Sequence, residues 1–303
     1  MRNLFVTFFL LAACSGESVY KSALGWELWR AGMKEKKLTV QGFEIAYLES
    51  RPTDPQKPET IVLVHGFGAN KETWMRFASH LPERMRVIAL DVPGFGESTR
   101  DMAQNYDIPT QASRLHYFIQ ALGVKKAHLA GNSMGGSIVA YYALSYPEEV
   151  ATLFLIDAAG VITTAGTDLR KALSAGNNPL VISTEAEYDG LLALSFVVPP
   201  SIPSSVKRYF VAQSAANRAL TEKIYADMNN SPIDLTSRLS EIHTRTLVLW
   251  GDSDRLIDKS VGEVYAAGIE GAKMVVMDKC GHAPQLERPK EAAEIYALFL
   301  DGK

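Results

Sequence analysis

A mostly parallel β-sheet covered by helices, interrupted by an inserted helical cap, is the α/β architecture this sequence predicts. Three observations carry it. From Phe43 onward short β-rich runs alternate with helical patterns, the sign of repeated strand–helix–strand units. Most of those runs are apolar at every position rather than at every second one, as in strands buried on both faces of a parallel sheet. Residues 161–243 then break the rhythm, because about 80 residues separate two core strands where a single crossover needs far fewer.

The chain has 303 residues, 47% of them hydrophobic, enough to bury a large core. The formal net charge of -3 and the lack of any Lys/Arg run beyond Lys34, Lys36 and Lys37 exclude a polyanion-binding surface, so no nucleic-acid partner is expected. Taken in order, Arg2 precedes an apolar run from Leu4 to Ala13 that reads as an export leader, too short for the roughly 20 residues of a spanning helix. The string Leu11-Ala12-Ala13-Cys14 resembles the lipobox of bacterial lipoproteins, so residues 1–13 are read as a signal peptide and Cys14 as the lipidated first residue of the mature chain. A lipid-anchored place in a bacterial cell envelope follows, with the outer membrane preferred because Ser15 is not Asp; a secreted or periplasmic protein is the alternative. Cys280 is the only other cysteine, so no disulfide framework is expected.

Residues 14–40 are expected to hold a linker and an amphipathic helix over Ser18–Lys37. Leu24, Leu28, Trp26 and Trp29 stand near helical spacing there, to lie either on a membrane surface or on the catalytic domain. The core is assigned to 41–160 and 244–303, with strands at Phe43–Leu48, Ile61–Val64, Val87–Leu90, Ala127–Ala130, Leu153–Ile156, Thr246–Trp250 and Met274–Met277. The last six are expected to be buried on both faces. Helices are expected at Thr110–Leu122, Met134–Ser145, Lys259–Ala267 and Pro289–Leu300. Residues 161–243 form the cap, which contains the apolar, Pro-broken run Leu191–Pro200. That run is expected to border an acyl pocket, with Phe196 and Val197 touching substrate.

Gly131-Asn132-Ser133-Met134-Gly135 matches G-x-S-x-G, which alone should arise by chance in roughly one chain of this size in ten. Its setting strengthens it, because the motif ends one expected strand and opens a helix, the turn that pushes a nucleophilic hydroxyl out of the sheet. A serine hydroxyl needs a base within reach and a carboxylate to orient that base. His282, in the loop after the last strand, is the base; His65, His80, His116, His128 and His243 are less well placed, and His65 is expected to bond loop backbone. Asp254 is the acid, since Asp252 sits almost on the strand and Asp258 is placed to cap the next helix. Asp157, at the end of the strand after the nucleophile helix, is the outside candidate. The oxyanion donors are the backbone N–H groups of Phe67 and Met134, and Phe67 is also expected to contact substrate. No cofactor and no metal is called for, and no cluster has metal-ligand spacing.

These residues resemble the α/β-hydrolase-domain monoacylglycerol lipases and related capped bacterial lipases and esterases. The likeness runs from about residue 40 to the C-terminus. It rests on HGFGANKETW from His65, DVPGFGEST from Asp91, GNSMGG from Gly131, WGDSDRLID from Trp250 and CGHAPQLERP from Cys280. It implies the α/β-hydrolase fold, hydrolysis of monoacylglycerols and other medium-chain esters, and triad roles for Ser133, Asp254 and His282. The membrane-bound animal members have a longer anchor, so their attachment does not carry over. A carbon–carbon bond hydrolase of ring-cleavage products uses the same triad but a Gly-Pro-Gly-rich loop where this chain has Phe67-Gly68-Ala69-Asn70, and a noncatalytic binding protein on the scaffold is the other alternative. Oligomeric state is not legible.

Overall fold

The computed structural model describes residues 15–53 and 59–302, so the expected leader and Cys14 lie outside the described residues. Helix α1 (Gly16–Arg30) starts where the Ser15 hydroxyl accepts the Ser18 N–H at 3.2 Å, satisfying a donor that has no intrahelical partner. The expectation of one helix over Ser18–Lys37 is corrected here: the helix ends at Arg30 and Met33–Val40 is strand β1. The cause is pairing with β2 (Phe43–Ser50) through a two-residue turn at Gln41 and Gly42, both at left-handed φ (50° and 81°), whose twist suits a hairpin. Cross-strand ion pairs join Lys36 to Glu49 and Lys37 to Glu44, which seats the Lys-rich run at a charged sheet edge.

The chain continues through β3 (Thr60–Val64), a 3₁₀ turn at Lys71–Trp74, α2 (Met75–Ala78), β4 (Arg86–Leu90), α3 (Ile108–Ala121), β5 (Ala127–Asn132), α4 (Met134–Ser145) and β6 (Val150–Ile156). Four helices follow where one crossover would suffice: α5 (Asp168–Ser174), α6 (Glu185–Ser195), α7 (Ser204–Ala216) and α8 (Arg218–Asn230). The chain then returns through β7 (Thr246–Gly251), α9 (Ser260–Gly268), β8 (Lys273–Met277), α10 (Pro284–Glu287) and α11 (Pro289–Leu300). The strands form one sheet in the order β1-β2-β4-β3-β5-β6-β7-β8, antiparallel at β1 and β2 and parallel from β4 to β8.

Strand order reverses at β3, which has β4 on one side and β5 on the other. Loops leaving the carboxyl ends of strands at such a point diverge and open a crevice. Val64 stands opposite Gly131 in the β3–β5 register, so the loop after β3 emerges beside the turn after β5. Alternate residues of β3 feed opposite cores: Val62 and Val64 join the side covered by α3 and α4, while Ile61 and Leu63 join the side covered by α2 and α11. Apolar residues at both parities are therefore required, and they read as a continuous run. Strand β8 departs from that expectation. It is an edge strand, at the opposite end of the sheet from β1, and Val276 is 45% exposed there.

Helix α1 divides its apolar residues between two roles. Leu24 and Leu28 pack on the core, and Tyr20 packs against Tyr209 and Phe210 of α7 with ring centroids 5.8 and 4.9 Å away. Trp26 and Trp29 face outward, 54% and 78% exposed. Glu27 also bonds Arg76 of α2 at 2.8 Å. Among the described residues no helix is long and apolar enough to cross a membrane.

Candidate active site

Ser133 sits between β5 and α4 with φ 56° and ψ -120°, backbone angles an L-residue adopts only under constraint. The constraint is visible. Its N–H donates to Ile156 O at 3.1 Å, and its carbonyl accepts the Ala159 N–H at 3.0 Å. The turn closes because its neighbours are glycines: a Cβ on Gly135 would lie 2.1 Å from Val64 O, and one on Gly131 would lie 2.3 Å from Gly135 O. Met134 is buried and is the first residue of α4, so its N–H has no intrahelical acceptor.

His282 follows β8, and its Nδ1 lies 2.7 Å from Asp254 Oδ2, in the loop after β7. The Asp254 side chain is wholly out of solvent, and its Oδ1 accepts the N–H groups of Leu256 (2.7 Å) and Ile257 (3.0 Å). Held by two backbone donors, the carboxylate can only present Oδ2 to the ring. The ring thereby carries its proton on Nδ1 and keeps Nε2 as a base. Asp252 is turned elsewhere, to Ser253 and Cys280, and Asp258 accepts the Ser260 N–H at the start of α9.

Two groups not singled out in the sequence tie His282 to its surroundings. Asn132 donates through Nδ2 to His282 O at 3.0 Å and to Ile156 O at 3.1 Å, so the residue before Ser133 clamps the histidine loop. Ser195, last in α6, accepts the His282 N–H on its carbonyl at 2.8 Å. Gly281 lies directly under that contact, where a Cβ would meet Ser195 O at 2.4 Å. Neither could be read from G-x-S-x-G, which leaves the second position open, nor from the composition of the cap run. Phe196 is half-buried and Val197 is 44% exposed, immediately after this junction.

Phe67 is half-buried, with its ring between Phe95 of the core (5.5 Å) and Tyr225 of α8 (5.9 Å). Its loop is fixed from below by His65, whose Nε2 accepts the Val92 N–H at 3.0 Å, leaving Nδ1 to donate to Gly66 O at 2.7 Å. Burial holds His65 below the ordinary imidazole pKa, in keeping with a neutral ring. Further along, Lys71 is buried against Asp91 (3.1 Å) and Glu72 (2.9 Å). Burial opposes its charge, but Asp91 and Glu72 outweigh that cost and raise its pKa. Asp91 also accepts the N–H groups of Lys71 (2.7 Å) and Glu97 (2.8 Å), locking the loops after β3 and β4 together.

Asp157, the alternative acid, is fully buried at the end of β6 and lies beside the pair: oxygens of Asp157 and Asp254 and a ring nitrogen of His282 lie within 4.8 Å of one another. No linear spacing in the sequence reveals this trio. Within it Asp254 is engaged with the ring and with two N–H groups. Burial, and then the charge of Asp254, push the Asp157 carboxyl well above the carboxylate range.

The α/β hydrolase fold family model matches residues 59–289. Lipase 3 of Moraxella sp. (strain TA144) is 34% identical over 91% of this chain and 88% of its own length. Monoacylglycerol lipase abhd6-B of Xenopus laevis is 29% identical over 98% and 90%. Among solved structures, a membrane phospholipase A described as a bacterial virulence factor superposes with a TM-score of 0.91 at 40% identity, covering 100% of this chain and 99% of that one.

Proposed function

This chain belongs to the α/β-hydrolase family and is an ester-hydrolysing enzyme; from that premise we propose that Ser133, His282 and Asp254 are its triad and that its substrates are lipid carboxylic esters. The observation that carries the triad is the 2.7 Å contact between His282 and Asp254 in the loops after β8 and β7. Ser133 Oγ attacks the ester carbonyl as its proton passes to His282 Nε2, and the N–H groups of Phe67 and Met134 hold the resulting oxyanion. The alcohol leaves with that proton, giving an acyl-enzyme. Water then attacks, His282 takes its proton and returns it to Ser133, and the fatty acid departs. The half-buried Phe67, packed on both core and cap, together with Phe196 and Val197, borders the acyl chain.

Monoacylglycerols are the favoured class, from the relatives named above. Phospholipid esters are a second reading, favoured by 40% identity to the phospholipase A over the whole chain, α1 included. Envelope attachment through a lipidated Cys14 is part of the same proposal, supported by the Leu-Ala-Ala-Cys string and by the outward Trp26 and Trp29 just beyond it. The enzymatic test is fluorophosphonate labelling followed by a panel of monoacylglycerols, phospholipids and simple acyl esters. Ser133→Ala and His282→Ala should lower kcat by about four to six orders of magnitude, with Asp254→Asn less severe. A Ser133→Ala enzyme that still turned over would exclude the assignment. Anchoring is tested by fractionating cells that carry wild type or Cys14→Ala; equal recovery of both in the soluble fraction would exclude it.

A further inference from the structure

Asp157 plays no part in the steps above, yet it is one of the most completely buried carboxyls in the molecule. Its backbone lies at left-handed φ, 43°, and its N–H donates to Leu249 O at 3.0 Å, so the end of β6 is pinned against β7. Two residues on, the Ala159 N–H donates to the Ser133 carbonyl. One oxygen, Oδ1, accepts the Gly251 N–H at 3.0 Å. The other, Oδ2, is buried with no N–H or hydroxyl donor of the described residues. The neighbouring carboxyl is that of Asp254, an oxygen of which lies within 4.8 Å of an oxygen of Asp157. An ionised pair in such a place would leave a buried acceptor facing another acceptor, with like charges opposed. One proton resolves both problems.

We propose that Asp157 is a positioning residue held un-ionised, its Oδ2 hydroxyl donating to the Asp254 carboxylate and fixing that carboxylate against His282. The inference rests on the triad reading given above. Asp254 then has its set of partners: two backbone N–H groups, the imidazole, and a neutral acid that adds a donor without adding charge. When the Ser133 proton moves to His282, the imidazolium is balanced by one negative charge rather than two. A doubly charged site would hold that proton too firmly to return it to the leaving alcohol. The groups facing Asp157 are consistent with this. Glu287, which accepts the Gly281 N–H at 2.8 Å, adds further negative potential, and the buried Cys280 thiol is pushed up to about 12, first by burial and then by Glu287. Arg288 acts in the opposite sense on the Cys280 thiol, and of the trio Asp157, Asp254 and His282 the imidazole is the basic member.

The readout that does not depend on turnover is infrared difference spectroscopy between wild type and Asp157→Asn near pH 7. Wild type should show the carbonyl stretch of an un-ionised carboxylic acid, and the variant should lack it. Asparagine can offer its oxygen to Gly251 and its NH₂ to Asp254, so Asp157→Asn should keep kcat within about threefold and leave the acid limb of the kcat/KM profile in place, whereas Asp157→Leu, with no donor, should lower kcat by about 10- to 100-fold. Urea titration also distinguishes the states. The folded carboxyl binds its proton more tightly than the unfolded one, so wild type loses stability as pH rises above about 4, and Asp157→Asn should not share that loss. Absence of the band, or an acid limb that moves by about one pH unit in Asp157→Asn as removal of a charge would cause, overturns the inference. If Asp157→Leu fails to fold, the asparagine spectra still decide. Loss of turnover in Asp157→Asn with near-normal turnover in Asp254→Asn would instead overturn the triad reading itself.

Discussion

Removing the side-chain amide of Asn132 should loosen the active site from beneath. Its Nδ2 serves two carbonyls, His282 O at 3.0 Å and Ile156 O at 3.1 Å. The second of these also accepts the Ser133 N–H, so losing Asn132 leaves it one donor and costs about 1 kcal/mol. His282 O is in a different position: it is buried, and losing its donor carries a desolvation penalty of about 1–3 kcal/mol. The expected destabilisation of Asn132→Ala is therefore about 2–4 kcal/mol, read as a shift of the urea midpoint at unchanged m-value. Turnover should fall as well. The His282 backbone would be held mainly by its N–H to Ser195, and if His282 is the base, as proposed above, a displacement of about 1 Å there is worth up to 100-fold. Asn132→Leu, which restores volume but offers no donor, should be no better than alanine. A change under about 0.5 kcal/mol with unaltered kcat in both variants would refute the claim that these two hydrogen bonds position the base.

Three other outcomes are expected. Lys71→Met leaves Asp91 and Glu72 buried without their cation and should destabilise by about 3–5 kcal/mol, measured by denaturation with the fold checked by circular dichroism; a change below 1 kcal/mol, far outside that range, would mean the pair is expendable. Because burial depresses the pKa of His65, the folded state resists protonation while the unfolded chain takes a proton as pH falls below about 6.5. Stability is then full above that pH and drops below it by up to about 1.4 kcal/mol per pH unit for this group, and His65→Gln should flatten the slope seen in urea titrations from pH 7.5 to 5. Phe196→Ala should change the preferred acyl length in an ester panel, while a lower melting temperature with unchanged chain preference would assign that ring to packing of the cap.

The parallel strands were legible because burial on both faces leaves no polar alternation to confuse them: Val62, Leu63 and Val64 all had to be apolar, each for its own core. Strand β8 carries the same residue types at an edge, so Met274–Met277 looked buried and is only half so. Strand β1 was missed because Lys34, Lys36 and Lys37 mark a helix end as readily as an exposed hairpin, and only its partner β2 distinguishes them. In the site, the distance of Asp254 from the strand end is what singles it out in the sequence for a contact with His282, and the two are 2.7 Å apart. The place of Asp157 beside it has no such sign, because their proximity comes from β6 and β7 being neighbours although 94 residues separate Asp157 from Gly251. Asn132 was hidden for a simpler reason, since its partners are backbone carbonyls that any sequence would supply.

The position of α1 has a mechanical consequence. Its Tyr20 bears on Tyr209 and Phe210 of α7, and its Glu27 bears on Arg76 of α2. A load applied at the amino end of the helix thus divides along two paths, one into the inserted helices and one into the sheet-bearing body. Shortening the chain by 30 residues to obtain a simpler enzyme would remove the cross-brace between those two bodies, not a dispensable tether. The remaining restraints on the insertion would be its own chain ends and contacts such as Ser195 with His282 and Asp227 with Tyr106. A truncated enzyme of that kind should gain play in the insertion before it loses any part of its sheet.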